Sequence, residues 1–171
     1  MKLYVMIISE DVFTGTPSSF SDLEIDDFAA FVLAGGEVSP TGLKDRIQRA
    51  FCITFVRENG CLLGVGGLKK PSDFHRQEVQ DGSNVKLGQV EFPFELGWVF
   101  VLPSARGRKL SAKICNPLIA AAGNNGVFAT SHESRTYMHQ TLERIDFVKK
   151  KKKWPSQRNE GNLYLFLRSV I

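Results

Sequence analysis

The stretch that decides the fold is Glu95-Leu-Gly-Trp-Val-Phe-Val-Leu-Pro-Ser-Ala-Arg-Gly-Arg-Lys-Leu-Ser-Ala112. It reads as a strand that stops at Pro103, a basic turn centred on Arg106 and Gly107, and a helix that begins as the turn ends. A turn feeding a helix N-terminus presents unpaired backbone N–H groups and the positive end of the helix dipole. That combination suits a phosphate or pyrophosphate. The rest of the chain can be placed around this anion site.

Upstream, Val90 to Leu102 is the central strand, with Pro93 marking its true start or a bulge. Val99 to Leu102 is a continuous apolar run of the kind found in buried strands. Downstream, Leu110, Ile114, Leu118 and Ala121 mark one face of a helix that ends at Gly123-Asn-Asn-Gly126. Pro117 lies inside it and is expected to kink or shorten it. Gly126 to Ser131 resumes as a strand, Ser134 to Arg144 is a helix with Tyr137, Thr141 and Ile145 near one face, and Asn162 to Ile171 is a closing strand. Strand, turn, helix and strand make a β-α-β unit, which implies at least one parallel pair.

Before this unit, Met1 to Ile8 reads as a first strand, too short for a membrane span and without a small-residue cleavage site. Asp11 to Ser21 is rich in Thr, Ser, Gly and Pro and reads as a loop. Ser21-x-x-Glu24 is a capping box, followed by Leu23, Phe28, Phe31 and Val32 as an apolar face and by Gly35-Gly36 as a stop. Ser39-Pro40 opens a second short helix with Leu43, Ile47, Ala50 and Phe51 on one side. Phe51 to Arg57 and Cys61 to Leu68 are strands joined by Glu58-Asn59-Gly60, a hairpin signal. Lys69 to Gln89 lacks sustained periodicity and reads as a long loop with room for a short irregular element, a length often associated with function.

Val101-Leu-Pro-Ser-Ala-Arg106-Gly107-Arg108-Lys109-Leu110-Ser111 resembles the acetyl-coenzyme A signature of the Gcn5-related N-acetyltransferases, Arg/Gln-x-x-Gly-x-Gly/Ala after a β-strand. It departs at Lys109, where the family has glycine, and at Ser111, where it has glycine or alanine. A lysine at 109 either keeps the helical turn and adds a cation or crowds the phosphates. Leu142-Glu-Arg-Ile-Asp-Phe147 is similar to a late motif of the same family, with Asp146 in place of glycine. The resemblance implies a single α/β (α+β) domain over 1–171, with a mixed, mostly antiparallel sheet flanked by helices. It also implies acetyl transfer from acetyl-coenzyme A, as co-substrate, to a primary amine of a small molecule or a protein.

Residue by residue, the resemblance puts the pyrophosphate on Arg106, Gly107, Arg108, Lys109, Leu110 and Ser111, and the pantetheine arm on the backbone of Phe100, Val101 and Leu102. The family's helix asparagine falls at Arg135. Direct transfer needs a neutral amine, hence a base. Glu95, six residues before Val101, matches the base of histone-acetyltransferase members, and apolar flanks on its strand would raise its pKa. The alternative is a strand glutamate facing solvent or paired with an Arg or Lys. The family's tyrosine acid falls at Leu142; Tyr137, one and a half turns earlier, is the candidate acid, against its being a packed aromatic.

At 171 residues, 43% hydrophobic and 23% charged, the composition is that of a water-soluble chain with a real core. A net charge of +4 and a pI near 9.0 favour an anionic cofactor and a nucleic acid alike, and do not choose between them. Cys52, Cys61 and Cys115 lack metal-like spacing and read as reduced cytosolic residues, two of them in strands. His75 and His139 have no metal-like partners, so no metal is expected. His132, ending a strand, either lines the thioester region or caps the next helix. Trp98 and Phe100 read as core. The run Lys149 to Lys153 beside Trp154 allows a second reading, a non-catalytic module that binds nucleic acid or an acidic partner. A solvated strand or loop is the simpler account of those lysines. The expected location is cytoplasmic, with no membrane contact, and the resemblance allows a homodimer joined through sheet edges.

Overall fold

The computed structural model describes residues 10–170. The strand expected at Met1 to Ile8 lies outside the described residues. The elements in chain order are β1 (Asp11–Gly15), α1 (Asp22–Ala34), α2 (Leu43–Gln48), β2 (Cys52–Glu58), β3 (Cys61–Lys69), α3 (Asp73–Ser83), β4 (Phe94–Val101), α4 (Leu110–Ala122), β5 (Val127–His132), α5 (Thr136–Arg144), β6 (Val148–Pro155) and β7 (Asn162–Arg168). They form a seven-stranded sheet in the order β1-β2-β3-β4-β5-β7-β6. Among the described strands only β4 and β5 run parallel; the other neighbours are antiparallel.

Local signals set most of these elements. The Glu24 N–H donates to Ser21 Oγ at 3.3 Å and the Ser21 N–H to Glu24 Oε2 at 2.9 Å, the reciprocal capping box that starts α1. The buried face of α1 is Ile25, Phe28, Ala29 and Val32, whereas Leu23 is exposed. Asn59 and Gly60 both take positive φ, 50° and 78°, the geometry that closes a tight hairpin between β2 and β3. Helix α4 runs through Pro117 to Ala122, so the proline does not shorten it. Its buried side includes Leu110, Ile114 and Leu118, with Cys115 and Ala122, while Ala121 is exposed. In α5 the buried residues are His139 and Leu142, and Tyr137 is exposed.

Three elements differ from the sequence reading. Asp11 to Ser21 contains β1 and a short 3-10 turn at Pro17–Ser19, with β1 paired to β2 from Asp11↔Arg57 to Gly15↔Ile53. Lys69 to Gln89 contains α3, capped by Ser72 Oγ, which accepts from the His75 N–H at 3.2 Å. Its buried positions are Arg76, Val79 and Ser83, so it has helical spacing without an apolar stripe. The Arg76 guanidinium donates to the carbonyls of Leu87 and Phe92 at 3.3 and 2.7 Å and sits 5.6 Å from the Phe128 ring centroid. It thereby ties the chain after α3 to the sheet.

The lysine run forms β6, on the sheet edge beside β7. The register jumps from Lys149↔Phe166 to Lys153↔Tyr164, so Lys150 to Lys152 stand against Leu165 alone, a bulge of two extra residues. Lys149 Nζ lies 3.8 Å from the Tyr164 ring centroid and Lys153 pairs with Glu133 at 2.9 Å. Trp154 is half-buried against α3: a Cβ built on Gly82 would meet its indole at 2.5 Å. Lysines on a bulged edge deter a further strand from adding there.

The layers follow. α4 packs on one face with Leu68, Leu96 and Val101 in its cluster. α1 and α2 pack on the other, against Ile53, Phe55 and Val65. A third cluster joins Val79 of α3 to Phe128 and Leu165. Cys52 and Cys115 are buried and Cys61 is exposed, all as free thiols, with Cys52 and Cys61 in strands.

Candidate active site

After β4 the chain makes a 3-10 turn at Pro103–Ala105 and passes through Arg106 to Gly107, whose φ is 81°. A Cβ built on Gly107 meets no atom within 4 Å, so the turn faces open space. Lys109 is the residue before α4 and takes φ 60°, ψ 25°, the left-handed conformation that glycine adopts without strain. The lysine therefore keeps the turn at a conformational cost. α4 has no side-chain cap, and the first backbone N–H in this stretch with an acceptor is that of Lys113, which donates to the Lys109 carbonyl at 3.4 Å. The N–H groups of Gly107 through Ala112 thus have no acceptor among the described residues, and they gather at the positive end of a helix. This is the stretch that the sequence reading expects to hold an anion. Arg108 points elsewhere: its guanidinium bonds Glu58 at 3.0 and 3.1 Å and Glu10 at 2.5 Å.

The same loop follows a strand that borders a gap in the sheet. β4 and β5 pair only at Phe94↔Val127 and Glu95↔Phe128, and beyond Glu95 the strands part. On its other side β4 carries an extra residue, because Val65↔Phe100 and Gly67↔Gly97 enclose two steps of β3 and three of β4. Trp98 takes φ 55° at this bulge. The extra residue reverses which side chains face which layer: Phe94 and Leu96 pack with α4, as do Val99 and Val101, whereas Trp98 and Phe100 turn to α1. Hence Val99, Phe100 and Leu102 are half-buried, not a fully buried run.

The Leu102 N–H donates to the Leu63 carbonyl of β3 at 2.9 Å. The N–H and carbonyl of Val101 therefore turn to the parted edge, and Arg106 Nε reaches that carbonyl at 3.3 Å. Of Phe100, Val101 and Leu102, Val101 presents its backbone to the gap.

On the α1 side of the sheet a cleft of about 1160 Å³ opens between the α1–α2 connection, α3, β4 and the β6–β7 loop. Glu95 lies at its floor, 2% exposed. Lys69 Nζ and His75 Nε2 each approach Glu95 Oε2 to 3.0 Å. Burial alone would raise the Glu95 pKa, but the two cations outweigh it and hold the carboxyl down at about 2. The expected upward shift is thus reversed, because α3 carries a histidine to a carboxylate that already faces Lys69 from β3. The Glu95 charge raises the His75 pKa in turn. His75 Nδ1 lies 3.9 Å from Glu78 Oε2. Trp98 lines the cleft, edge-on to Phe28 at 6.0 Å and under Lys69 at 5.3 Å.

A smaller cavity of about 420 Å³ adjoins it, sharing Glu37, His132 and Asn159 and including Tyr137 and Arg135. Arg135 precedes α5 and its guanidinium is engaged with Glu37 at 3.1 Å, the Gly35 carbonyl at 3.0 Å and the Tyr137 hydroxyl at 3.2 Å. The structure thus places Arg135 and Tyr137 together, on the α1 side. His132 is structural: Nδ1 contacts Ser134 Oγ at 2.7 Å and accepts from the Ser134 N–H at 3.2 Å, while Nε2 meets the Glu160 carbonyl at 2.8 Å. His139 is buried, 3.0 Å from the His132 carbonyl through Nε2, and desolvation lowers its pKa. No group of three or more His, Cys, Asp or Glu among the described residues is arranged to hold a metal ion. None of the described helices is long and apolar enough to cross a membrane.

A strand parted from its parallel neighbour beside an open anion turn, with a carboxylate on the opposite face, can be compared with solved structures. The chain matches Escherichia coli ElaA with a TM-score of 0.68, 12% identity and coverage of 94% of this chain and 100% of that one. It carries the Gcn5-related N-acetyltransferase fold. Arabidopsis thaliana NAA60 in complex with acetyl-CoA matches at TM-score 0.67, 11% identity and 95% and 99% coverage. An acyl-CoA N-acyltransferase from Pseudomonas aeruginosa matches at 0.66, 14% and 94% and 100%. No protein-family model and no curated protein matches the chain in sequence. The mixed, mostly antiparallel sheet flanked by helices is therefore the acyl-CoA N-acyltransferase arrangement.

Sequence reasoning missed Lys69 and His75 as partners of Glu95. The available signal was Ser72-Asp73, a cap and an acidic first turn, which starts α3 and places His75 one turn in.

Proposed function

We propose that this chain moves an acetyl group from acetyl-coenzyme A to a primary amine by direct transfer. The observation that carries the reading is the row of unpartnered N–H groups from Gly107 to Ala112 beside the parting of β4 from β5. The turn and Arg106 to Ser111 hold the pyrophosphate, and the free N–H of Val101 bonds the amide-bearing arm that enters the gap. The backbone of Lys109 already has the shape required, so its side chain adds a cation without closing the turn. The acetyl-CoA bound to NAA60 belongs to a protein of the same fold, which supports the assignment.

In the cleft, Glu95 uses Oε2 to hold His75 and leaves Oε1 to accept from the amine or an intervening water. A carboxyl with a pKa of about 2 does not keep a proton at neutral pH. With the imidazole hydrogen assigned to Nε2, toward Glu95, Nδ1 of neutral His75 is the nitrogen that takes the amine proton through cleft water. The freed amine lone pair attacks the thioester carbonyl, the carbon–sulfur bond breaks, and Tyr137 offers its hydroxyl proton to the departing sulfur. Activity then rises with pH as His75 loses its proton, above the ordinary imidazole value because Glu95 raises it.

Calorimetric titration with acetyl-coenzyme A and coenzyme A, on the wild type and on Gly107→Glu, tests the reading. Micromolar binding lost in the variant supports it; no binding to the wild type removes it. With an acceptor in hand, full activity of His75→Gln at every pH would remove the assignment of the base.

A further inference from the structure

The cleft that holds Glu95 carries more positive charge than its own carboxylates neutralise. Five lysine and arginine side chains line it against four acidic ones, and each of the four has a partner. Glu37 takes Arg135 at 3.1 Å, Glu78 takes the Gln157 amide at 3.3 Å, Asp81 takes the Gln77 amide at 2.7 Å, and Glu95 takes Lys69 and His75. On the wall formed by α2 and the β6–β7 loop stand Arg46, Arg49 and Arg158. None of the three forms an ion pair with a carboxylate among the described residues. Arg46 is half-buried, with Nη2 donating to the Ser39 carbonyl at 2.5 Å, which fixes its guanidinium toward the cleft wall. Burial and the like charges of Arg158 and Arg49 lower its pKa.

Three guanidiniums gathered on one concave wall repel one another. An anion bound among them would relieve that repulsion, and the planar fork of arginine matches a carboxylate or a phosphate with paired hydrogen bonds. The wall faces the same enclosed volume as Glu95, Gly97 and Trp98, where the amine is placed above. A volume of about 1160 Å³ accommodates a small molecule that touches both ends.

We propose that the acceptor is a small amine that also carries a carboxylate or phosphate group, bound by Arg46, Arg49 and Arg158 while its amine lies at Glu95 and His75. The amine half rests on the transferase reading; the anion half does not.

Two matched pairs of acceptors read the charge directly: phosphoethanolamine against ethanolamine, and 4-aminobutyrate against butylamine, with putrescine as a cationic control. The expected result is a kcat/KM at least about tenfold higher for an anionic member than for its neutral partner, the worth of one charge-assisted hydrogen bond. Which pair shows the larger ratio separates phosphate from carboxylate. The preference should fall to near parity in Arg49→Gln/Arg158→Gln, which spares the half-buried Arg46, while calorimetric binding of acetyl-coenzyme A is unchanged. Equal rates within both pairs, a preference for putrescine, or a preference that survives in the double variant would overturn the proposal. Should acetyl-coenzyme A fail to bind, phosphoethanolamine and 4-aminobutyrate are titrated into Gly107→Glu protein, whose anion turn is blocked. Binding of either that weakens about tenfold without the two arginines upholds the anion wall alone, and binding of neither overturns it.

Discussion

Replacing Glu95 by glutamine tests the electrostatics of the cleft without touching the fold's outer surface. The Glu95 carboxyl falls from an ordinary 4.5 to about 2 through Lys69 and His75. At about 1.4 kcal/mol for each factor of ten in proton affinity, that difference is worth about 3 kcal/mol of stability. A depressed carboxyl pKa contributes fully above its unfolded value and is lost as the group protonates. The wild type should therefore lose about 3 kcal/mol between pH 4.5 and pH 2 from this residue. His75 acts in the opposite sense, since its pKa is raised: its contribution is complete below 6.5 and fades as pH climbs through the higher folded value. Glu95→Gln should be less stable than wild type by about 2–4 kcal/mol at pH 7, because Lys69 and His75 lose their counter-charge. Its stability should also be flatter at both ends of the range. Urea unfolding at pH intervals from 3 to 9, with equal m-values required, measures this. An unchanged midpoint at pH 7, or an acid slope in Glu95→Gln as steep as in wild type, would refute the reasoning.

Lys109→Gly should raise stability by up to about 1 kcal/mol, from relief of a left-handed lysine less the entropy of a new glycine, and should leave acetyl-coenzyme A binding within a few-fold; thermal unfolding and calorimetry check both. Gly82→Val should cost about 1–3 kcal/mol and alter the near-ultraviolet signal of Trp154, since the built Cβ lies 2.5 Å from the indole. Lys150→Thr/Lys151→Val/Lys152→Thr should make β6 a smoother edge and drive self-association, seen by analytical ultracentrifugation as mass that grows with concentration; a monomer unchanged up to high concentration counts against edge protection.

What could be read from the sequence was what depends on near neighbours. Ser21 and Glu24 cap each other within one turn, Asn59-Gly60 closes a hairpin unaided, and Arg106-Gly107 sits where a strand hands over to a helix. Glu95 was also placed on the right strand. Its electrostatics were not legible, because they come from Lys69 and His75, which the fold delivers from two other elements. α3 escaped notice because its buried face is Arg76, Val79 and Ser83, and Arg76 is buried only through carbonyls of Leu87 and Phe92 farther along the chain. β1 owes its existence to pairing with β2, and its mostly exposed residues, with Val12 and Phe13 adjacent, give no alternating pattern. In β6 five lysines conceal the strand period, while the two unmatched residues of its bulge break the register.

The additional residue at Trp98 gives β4 two reading frames. Ahead of it even-numbered positions belong to the α4 layer, and after it odd-numbered ones do. A saturation scan along 94–101 should thus show tolerance alternating with a period of two that slips by one place at 98. Deleting Trp98 would remove the bulge and restore plain alternation along the strand, with Val99 and Val101 still in the α4 layer and Phe100 still opposite Val65.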